Sequence, residues 1–429
     1  MTNHLTNNIL IHTHGCKLNQ ADSDKMSREF VSAGFNIVDS IVTADIYVLN
    51  TCTVTSTADS KARQALRSAH RHNPNALIVA AGCYSQRAED ELSEMPEVSL
   101  VVKNTEKDNI IELINKIHRI DTRPVNNIEQ PLQTHLSRCR AMVKIQEGCN
   151  QICSYCIVPK VRGREKSIPS STLINQINEL VSEGYREVVL TGTQLGSYGF
   201  DLPGSSLPQL IQRILKETDI PRLRVSSLQP QEINTHLLDL WANERLCPHF
   251  HIPLQSGCDK ILSAMRRRYT TQQFYDSVEF IRNNVPNVAI TGDLIVGFPG
   301  ETDSDFNETL ESVSNISFSN LHVFPYSKRP GTSATYLVDH VSPIVKKERI
   351  TILNELVKAS FTNFRNKFLN TNQRVLWETH KVHNKESYWK GITENYIRVQ
   401  TKTTRDIRNT ITDAKLQSLE DDCVWATIP

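Results

Sequence analysis

Up to residue 118, short apolar runs alternate with stretches whose apolar positions recur at helical spacing. "NILIHTH" predicts a strand, and "DSDKMSREFVSAG" a helix that ends at Gly34. "DIYVLNT" predicts the next strand, followed by a helix from about Ala58 to His72, and "ALIVAAG" and "VSLVVK" predict a third and a fourth strand. Alternation of this kind predicts a parallel, doubly wound sheet over residues 1–118. Residues 119–137, "RIDTRPVNNIEQPLQTHLS", have no clear period and read as a linker. A second αβ series follows over residues 138–369, with "AMVKIQE", "REVVLTG", "RLRVSSL", "HFHIPL", "VAITGDLIVGF" and "NLHVFPYS" as strands. Between them, "SSTLINQINELVSEG" and "SLPQLIQRILKET" carry apolar residues at helical spacing. Six βα units predict an open or partial (β/α)6 barrel, short of a closed one of eight. A helical connector, "KKERITILNELVKASFTNFRNKFL", leads into residues 370–429. There "QRVLWETHKV", "YWKGITENYIRVQT" and "DDCVWATIP" predict a small all-β barrel.

Composition narrows the picture little. A chain of 429 residues with 39% apolar residues has enough material for two or three cores. The formal net charge of +1 means that any nucleic-acid contact comes from local basic patches. No apolar run approaches the ~18 residues of a membrane span. The opening "MTNHLTNNILIHTHGC" lacks a basic and apolar leader, so no secretory signal and a cytoplasmic location are expected.

The ten cysteines change more. In a reducing compartment a disulfide framework is disfavoured. Cys139, Cys247, Cys258 and Cys423 lack partners at ligand spacing and read as structural. Cys16, Cys52 and Cys83 each fall at or just past the end of a predicted strand. Ligand sites of such sheets lie at the carboxyl ends of the strands, so these thiols are expected to converge; the plainer alternative is three unrelated core cysteines. Cys149, Cys153 and Cys156 lie on the loop after the first barrel strand, spaced C-x3-C-x2-C. Structural zinc wants four ligands, whereas a 4Fe-4S cluster held by three thiolates keeps one iron open for a chelating molecule.

"CNQICSYC", followed by Pro159, resembles the cluster motif of radical S-adenosylmethionine enzymes. "HGCKLNQADSD", "NTCTVTSTADSK" and "GCYSQR" resemble the three cysteine motifs of the methylthiotransferase N-terminal domain. "HFHIPLQSG", "GDLIVGFPGET" and "FPYSKRPGT" resemble that family's barrel segments, and the tail resembles the RNA-binding TRAM barrel through "QRVLWE" and "GITENYIRV". The resemblance covers nearly the whole chain. It implies two 4Fe-4S clusters, an auxiliary one on Cys16, Cys52 and Cys83 and one on Cys149, Cys153 and Cys156 that binds S-adenosyl-L-methionine. It further implies tRNA as partner, an electron donor of flavodoxin or ferredoxin type, a sulfur source and no membrane. Within the family, "TGTQLGSYG" and "CPHFHIPLQSG" resemble the branch that methylthiolates N6-threonylcarbamoyladenosine at position 37 of tRNA. The N6-isopentenyladenosine branch is the alternative, and a non-catalytic iron–sulfur RNA-binding protein is the alternative of another class.

Beyond the cluster ligands no catalytic side chain is expected. Tyr155 is expected near the adenine of S-adenosylmethionine, or else as loop packing. Gly192 and Gln194 are expected at its methionine part, unless they form only a strand end. Asp293 and Gly297 match positions where family members contact the adenosyl group, with Glu301 as a possible helix cap. Lys160, Arg162, Arg164 and Lys166, with Arg266, Arg267 and Arg268, are expected to meet RNA phosphates or to be solvated faces. In the tail, Trp377, Tyr388, Trp389 and Tyr396 divide between RNA stacking and core.

Overall fold

In a computed structural model describing residues 7–117, 139–383, 386–420 and 423–429, three units follow one another along the chain. The first comprises β1 (Asn8–Thr13), α1 (Lys17–Ser32), β2 (Asn36–Ile37), β3 (Ile46–Thr51), α2 (Ser56–His72), β4 (Leu77–Gly82), α3 (Cys83–Arg87), α4 (Glu89–Ser93), β5 (Leu100–Lys103) and α5 (Ile110–Ile117). Its five strands are parallel in the order β2-β1-β3-β4-β5. Strands β3 and β4 are buried along their whole length, as a sheet covered on both faces requires. Alternate residues serve opposite cores: Leu10, Leu49 and Ala80 pack with Leu66, while Ile9, Val48 and Val79 pack with Phe30 and Ile114. The sheet has one more strand than the pattern predicts, because the two-residue β2 is too short to leave a signal. The linker expected at 119–137 lies outside the described residues.

The second unit contains β6 (Arg140–Lys144), β7 (Gln146–Glu147), α6 (Val158–Arg162), β8 (Lys166–Ser167), α7 (Ser170–Ser182), β9 (Glu187–Thr191), α8 (Leu207–Glu217), β10 (Arg222–Val225) and α9 (Thr235–Leu238). It continues with β11 (His249–His251), α10 (Asp259–Ala264), α11 (Thr271–Asn284), β12 (Ala289–Val296), α12 (Asp303–Ile316), β13 (Asn320–Pro325) and α13 (Pro343–Asn366). Two parallel three-stranded sheets, β6-β9-β10 and β11-β12-β13, are joined by the parallel bridges Leu223–Leu246 and Ser227–His251. All six expected strands are present, forming the partial barrel as an arc. Helix α8 shows why the outer layer forms: Ser206 caps it, and Leu207, Leu210, Ile211 and Ile214 are its buried stripe. That stripe joins Leu223, Val225, Phe250, Ile290 and Leu321 in one core, so alternate strand residues face the lumen.

The third unit is a closed barrel in the order β14-β15-β16-β18-β17, made of β14 (Asn372–His383), β15 (Glu386–Thr393), β16 (Arg398–Thr401), β17 (Ile411–Glu420) and β18 (Cys423–Thr427). Trp377, Trp389, Val399 and Leu416 fill it. It seats on the amino ends of the barrel strands. Arg222 and Arg224, fully buried around Glu187, donate to the carbonyls of Ile392, Thr393 and Glu394, and Arg140 pairs with Glu378 at 2.6 Å.

Candidate functional site

Each of Cys16, Cys52 and Cys83 follows a parallel strand: β1 ends at Thr13, β3 at Thr51 and β4 at Gly82. Gly15, at φ +108°, lets the first loop fold onto the second; a Cβ there would lie 2.6 Å from Cys52 Cβ. Cys52 and Cys83 are buried and Cys16 is exposed. Asn104 Nδ2 donates to Cys83 Sγ at 3.5 Å, and the Val54 amide to Cys52 Sγ at 3.5 Å. Burial pushes the Cys52 thiol up to about 12.

The second set sits on the loop between β7 and α6. Cys149 and Cys153 are buried and Cys156 is half-buried. Burial pushes the thiol of Cys149 up to about 11 and that of Cys156 up to about 12. Arg267 Nη1 reaches Cys153 Sγ at 3.4 Å. The Ser154 amide and hydroxyl hold the loop on the carbonyls of Met265 and Ala264.

A single zinc ion with Zn–S bonds near 2.3 Å brings its sulfurs within about 4 Å of one another. Among the described residues, the one Cys, His, Asp or Glu group with all donor atoms within 4.8 Å is Cys258, Asp305 and Glu308. Neither three-cysteine set is gathered that tightly. Three thiols held apart, with N–H donors aimed at sulfur, fit the corners of a polynuclear cluster better than one metal ion.

The two sets are linked. Asp22 of α1 is buried among Lys107, Lys144 and Arg162 at 3.0, 2.7 and 3.1 Å. Burial alone would raise the Asp22 pKa, but these cations overcome it and hold it well below the usual range. Arg162 also bonds Glu147 and Asn19 Oδ1, the latter 3.8 Å from Cys83 Sγ. Arg162 therefore lies between the loop of Cys149 and the loop of Cys83.

Two sequence expectations are corrected, those for Arg162 and Arg267. Arg162, with 2% of its side chain exposed, is turned inward and has no face for RNA. Arg267 likewise addresses Cys153 and stacks over Tyr269. Lys160, Arg164 and Arg266 remain exposed, as do Lys166 and Arg268. Tyr155 is half-buried and packs against the cluster that holds Cys258, Met265, Phe298 and Tyr326. Gly192 is needed for close approach, but by Gln146, whose carbonyl oxygen would lie 2.9 Å from an added Cβ. The Gln194 amide is held between Glu232 and Gln229. Gln229 in turn donates to Gln151 on the cysteine loop at 3.2 Å. Asp293 receives His251 Nε2 at 3.2 Å. The Gly297 amide donates to Glu301 Oε1 at 3.0 Å, with Lys346 folded over the glycine. Glu301 pairs with Arg349, and Thr302 with Asp305 makes the cap of α12 instead. Trp377 and Trp389 are core, and Tyr396 stacks on His249 with centroids 4.4 Å apart, closing the lumen floor.

Sequence reasoning missed Asn19, Gln151, Gln229 and Glu232. Asn19 stands in "CKLNQ", just after the first cysteine, and that adjacency is the signal that could have found it.

A model described as Uncharacterized protein family UPF0004 matches residues 8–103, and the Radical SAM superfamily model matches residues 143–313. The threonylcarbamoyladenosine tRNA methylthiotransferase MtaB of Bacillus subtilis is 36% identical over 95% of this chain and 93% of its own. Its namesake in Aquifex aeolicus is 37% identical over 93% and 98%. The tRNA-2-methylthio-N(6)-dimethylallyladenosine synthase of Endomicrobium trichonymphae is 34% identical over 97% and 100%. Among solved structures, the radical S-adenosylmethionine methyltransferase TsrM of Kitasatospora setae superposes with a TM-score of 0.54 at 14% identity, covering 77% of each chain, a likeness of fold. A parallel sheet and a partial barrel, each with three cysteines at its strand ends, and relatives matched nearly end to end lead to one assignment: the chain belongs to the MtaB-type radical S-adenosylmethionine methylthiotransferase family.

Proposed function

We propose that the protein adds a methylthio group at C2 of N6-threonylcarbamoyladenosine at position 37 of tRNA. The observation that carries this reading is the pair of three-cysteine sets facing each other across Arg162 and Asn19. Cys149, Cys153 and Cys156 would hold one 4Fe-4S cluster, and Cys16, Cys52 and Cys83 the other. When bound, the clusters and S-adenosyl-L-methionine would supply one-electron radical chemistry, the methyl group and the sulfur for transfer.

The chain's own residues supply position. Arg162 and Asp22 fix the distance and orientation between the two loops. Arg267 places a cation and an N–H donor against Cys153. Gln151, Gln229, Gln194 and Glu232 form a hydrogen-bonded chain that steadies the cysteine loop from the barrel side. Exposed Lys160, Arg164 and Arg266 beside that loop suit the tRNA backbone. On the small barrel, Tyr388 and Trp425 remain partly exposed, each with a lysine (Lys390 and Lys402) 5.6 Å from its ring. They suit stacked bases. An electron donor of flavodoxin or ferredoxin type and a sulfur source complete the partners. Among the described residues no helix is long and apolar enough to cross a membrane.

Mass spectrometry of tRNA nucleosides from a deletion strain tests the reading. The 2-methylthio form of N6-threonylcarbamoyladenosine should vanish and return on complementation; its persistence would contradict the proposal. The relative named for dimethylallyladenosine favours a second reading, N6-isopentenyladenosine as substrate, and loss of that methylthio nucleoside instead would establish it.

A further inference from the structure

The barrel lumen contains more charge than its ion pairs consume. Because Leu223 and Val225 join the outer core, Arg222, Arg224 and Ser226 face the other way. On neighbouring strands His249, His251, Thr291, Asp293 and His322 do the same. The cations of the lumen-side strands have carboxylate partners. Arg222 and Arg224 share Glu187, Arg140 has Glu378, and Lys144 has Asp22 and Glu147. Lys17 differs. It starts α1, directly after Cys16, and its side chain crosses from the first unit into the barrel, where Nζ donates to Ser226 Oγ at 3.2 Å. Among the described residues it has no carboxylate within 4.0 Å. Asp293 on β12 is turned to His251. On the neighbouring β13, His322 and Phe324 are exposed, the latter 43%.

A half-buried cation anchored by one hydroxyl is a site for an anion, and it disfavours an apolar occupant that would leave it unpaired. Resting on the reading of N6-threonylcarbamoyladenosine as substrate, we propose that the Lys17 ammonium is the counter-ion of the threonine carboxylate on that nucleoside. It is then the group by which this lumen prefers the threonylcarbamoyl over the isopentenyl substituent. The position agrees with the reaction: the side chain that grips the substituent springs from the residue next to Cys16, so gripping the carboxylate brings the base to the thiol set of the first unit.

The test uses anticodon hairpins carrying N6-threonylcarbamoyladenosine, its methyl ester or N6-isopentenyladenosine. Binding to the full chain with both clusters reconstituted is measured without reductant, and methylthiolation of the same hairpins separately. Wild-type protein should bind the acid roughly 10- to 100-fold more tightly than the ester, the range of a hydrogen bond to a charged group. Lys17→Met, with iron content and cluster spectra unchanged, should bind acid and ester alike, and Lys17→Arg should restore part of the preference. Ser226→Ala, remote from the cysteines in sequence, should narrow the ratio as well. Equal binding of acid and ester by the wild type, or an undiminished ratio in cluster-loaded Lys17→Met, would overturn the assignment. A wild type that fails to methylthiolate the acid hairpin defeats the proposed function and this inference with it; a wild type that modifies it while binding acid and ester alike defeats only the inference.

Discussion

The guanidinium of Arg267 is a cation and a donor to Cys153 Sγ, and such neighbours favour the more negative, reduced state of a cluster. Arg267→Gln should therefore lower the reduction potential of a cluster held by Cys149, Cys153 and Cys156, as read by spectroscopic redox titration. An unchanged potential would show that this contact does not tune it. Cys16, Cys52 and Cys83 were legible in the sequence because each follows a strand, and strand ends are readable from apolar runs. The basic residues were not. Lys160, Arg162 and Arg164 look alike in "PKVRGRE", yet Arg162 is locked to Asp22 and Glu147 while Lys160 and Arg164 are exposed. Sign of charge says nothing about direction; the approach of α1 from another unit turns Arg162 inward. The partners of the Gln194 amide, Glu232 and Gln229, lie 35 or more residues away and leave no local signal.

Among the elements, the buried parallel strands and the amphipathic helices announced themselves, whereas β17 did not. In "ITDAKLQSLE" only Ala414 and Leu416 are buried, and a bulge between Leu416 and Ser418 breaks the two-residue alternation. The docking of the small barrel was equally hidden. It depends on β9 and β10 offering Glu187, Arg222 and Arg224, charged residues at positions that local pattern would expose. Burial by itself would raise the Glu187 pKa; Arg224 and Arg222 overcome it and hold it at about 2. A carboxyl depressed in the folded state stabilises fully above its unfolded pKa, about 4.3, and loses that contribution as pH falls toward about 2. Unfolding followed by tryptophan fluorescence should thus show stability flat in this contribution near neutral pH and declining below about pH 4.5. Glu187→Gln should cost about 3–5 kcal/mol at neutral pH, because two buried guanidiniums lose their carboxylate, and should flatten part of the acid decline. An acid profile identical in the variant would assign the decline to other groups.

For the whole molecule, the order of the three units could be read along the chain, but not their mutual placement. Asp22, Arg162 and Lys17 join the first unit to the barrel, and Arg329 adds a buried pair with Asp59 at 2.6 Å. These contacts bring Cys83 against Ile157 and Val161, next to the loop of Cys149, Cys153 and Cys156, while Tyr396 of the third unit stacks on His249 of the barrel. On the proposed function the two sets divide the labour: the compact set supports cleavage of S-adenosylmethionine, and the dispersed set supports delivery of sulfur. The most direct measurement is on Cys52→Ala, reconstituted anaerobically, reduced and supplied with S-adenosylmethionine and the N6-threonylcarbamoyladenosine hairpin. 5′-Deoxyadenosine should continue to form while no 2-methylthio product appears. Loss of 5′-deoxyadenosine from a folded protein whose Cys149, Cys153 and Cys156 cluster is intact, or formation of the methylthio product, would contradict it.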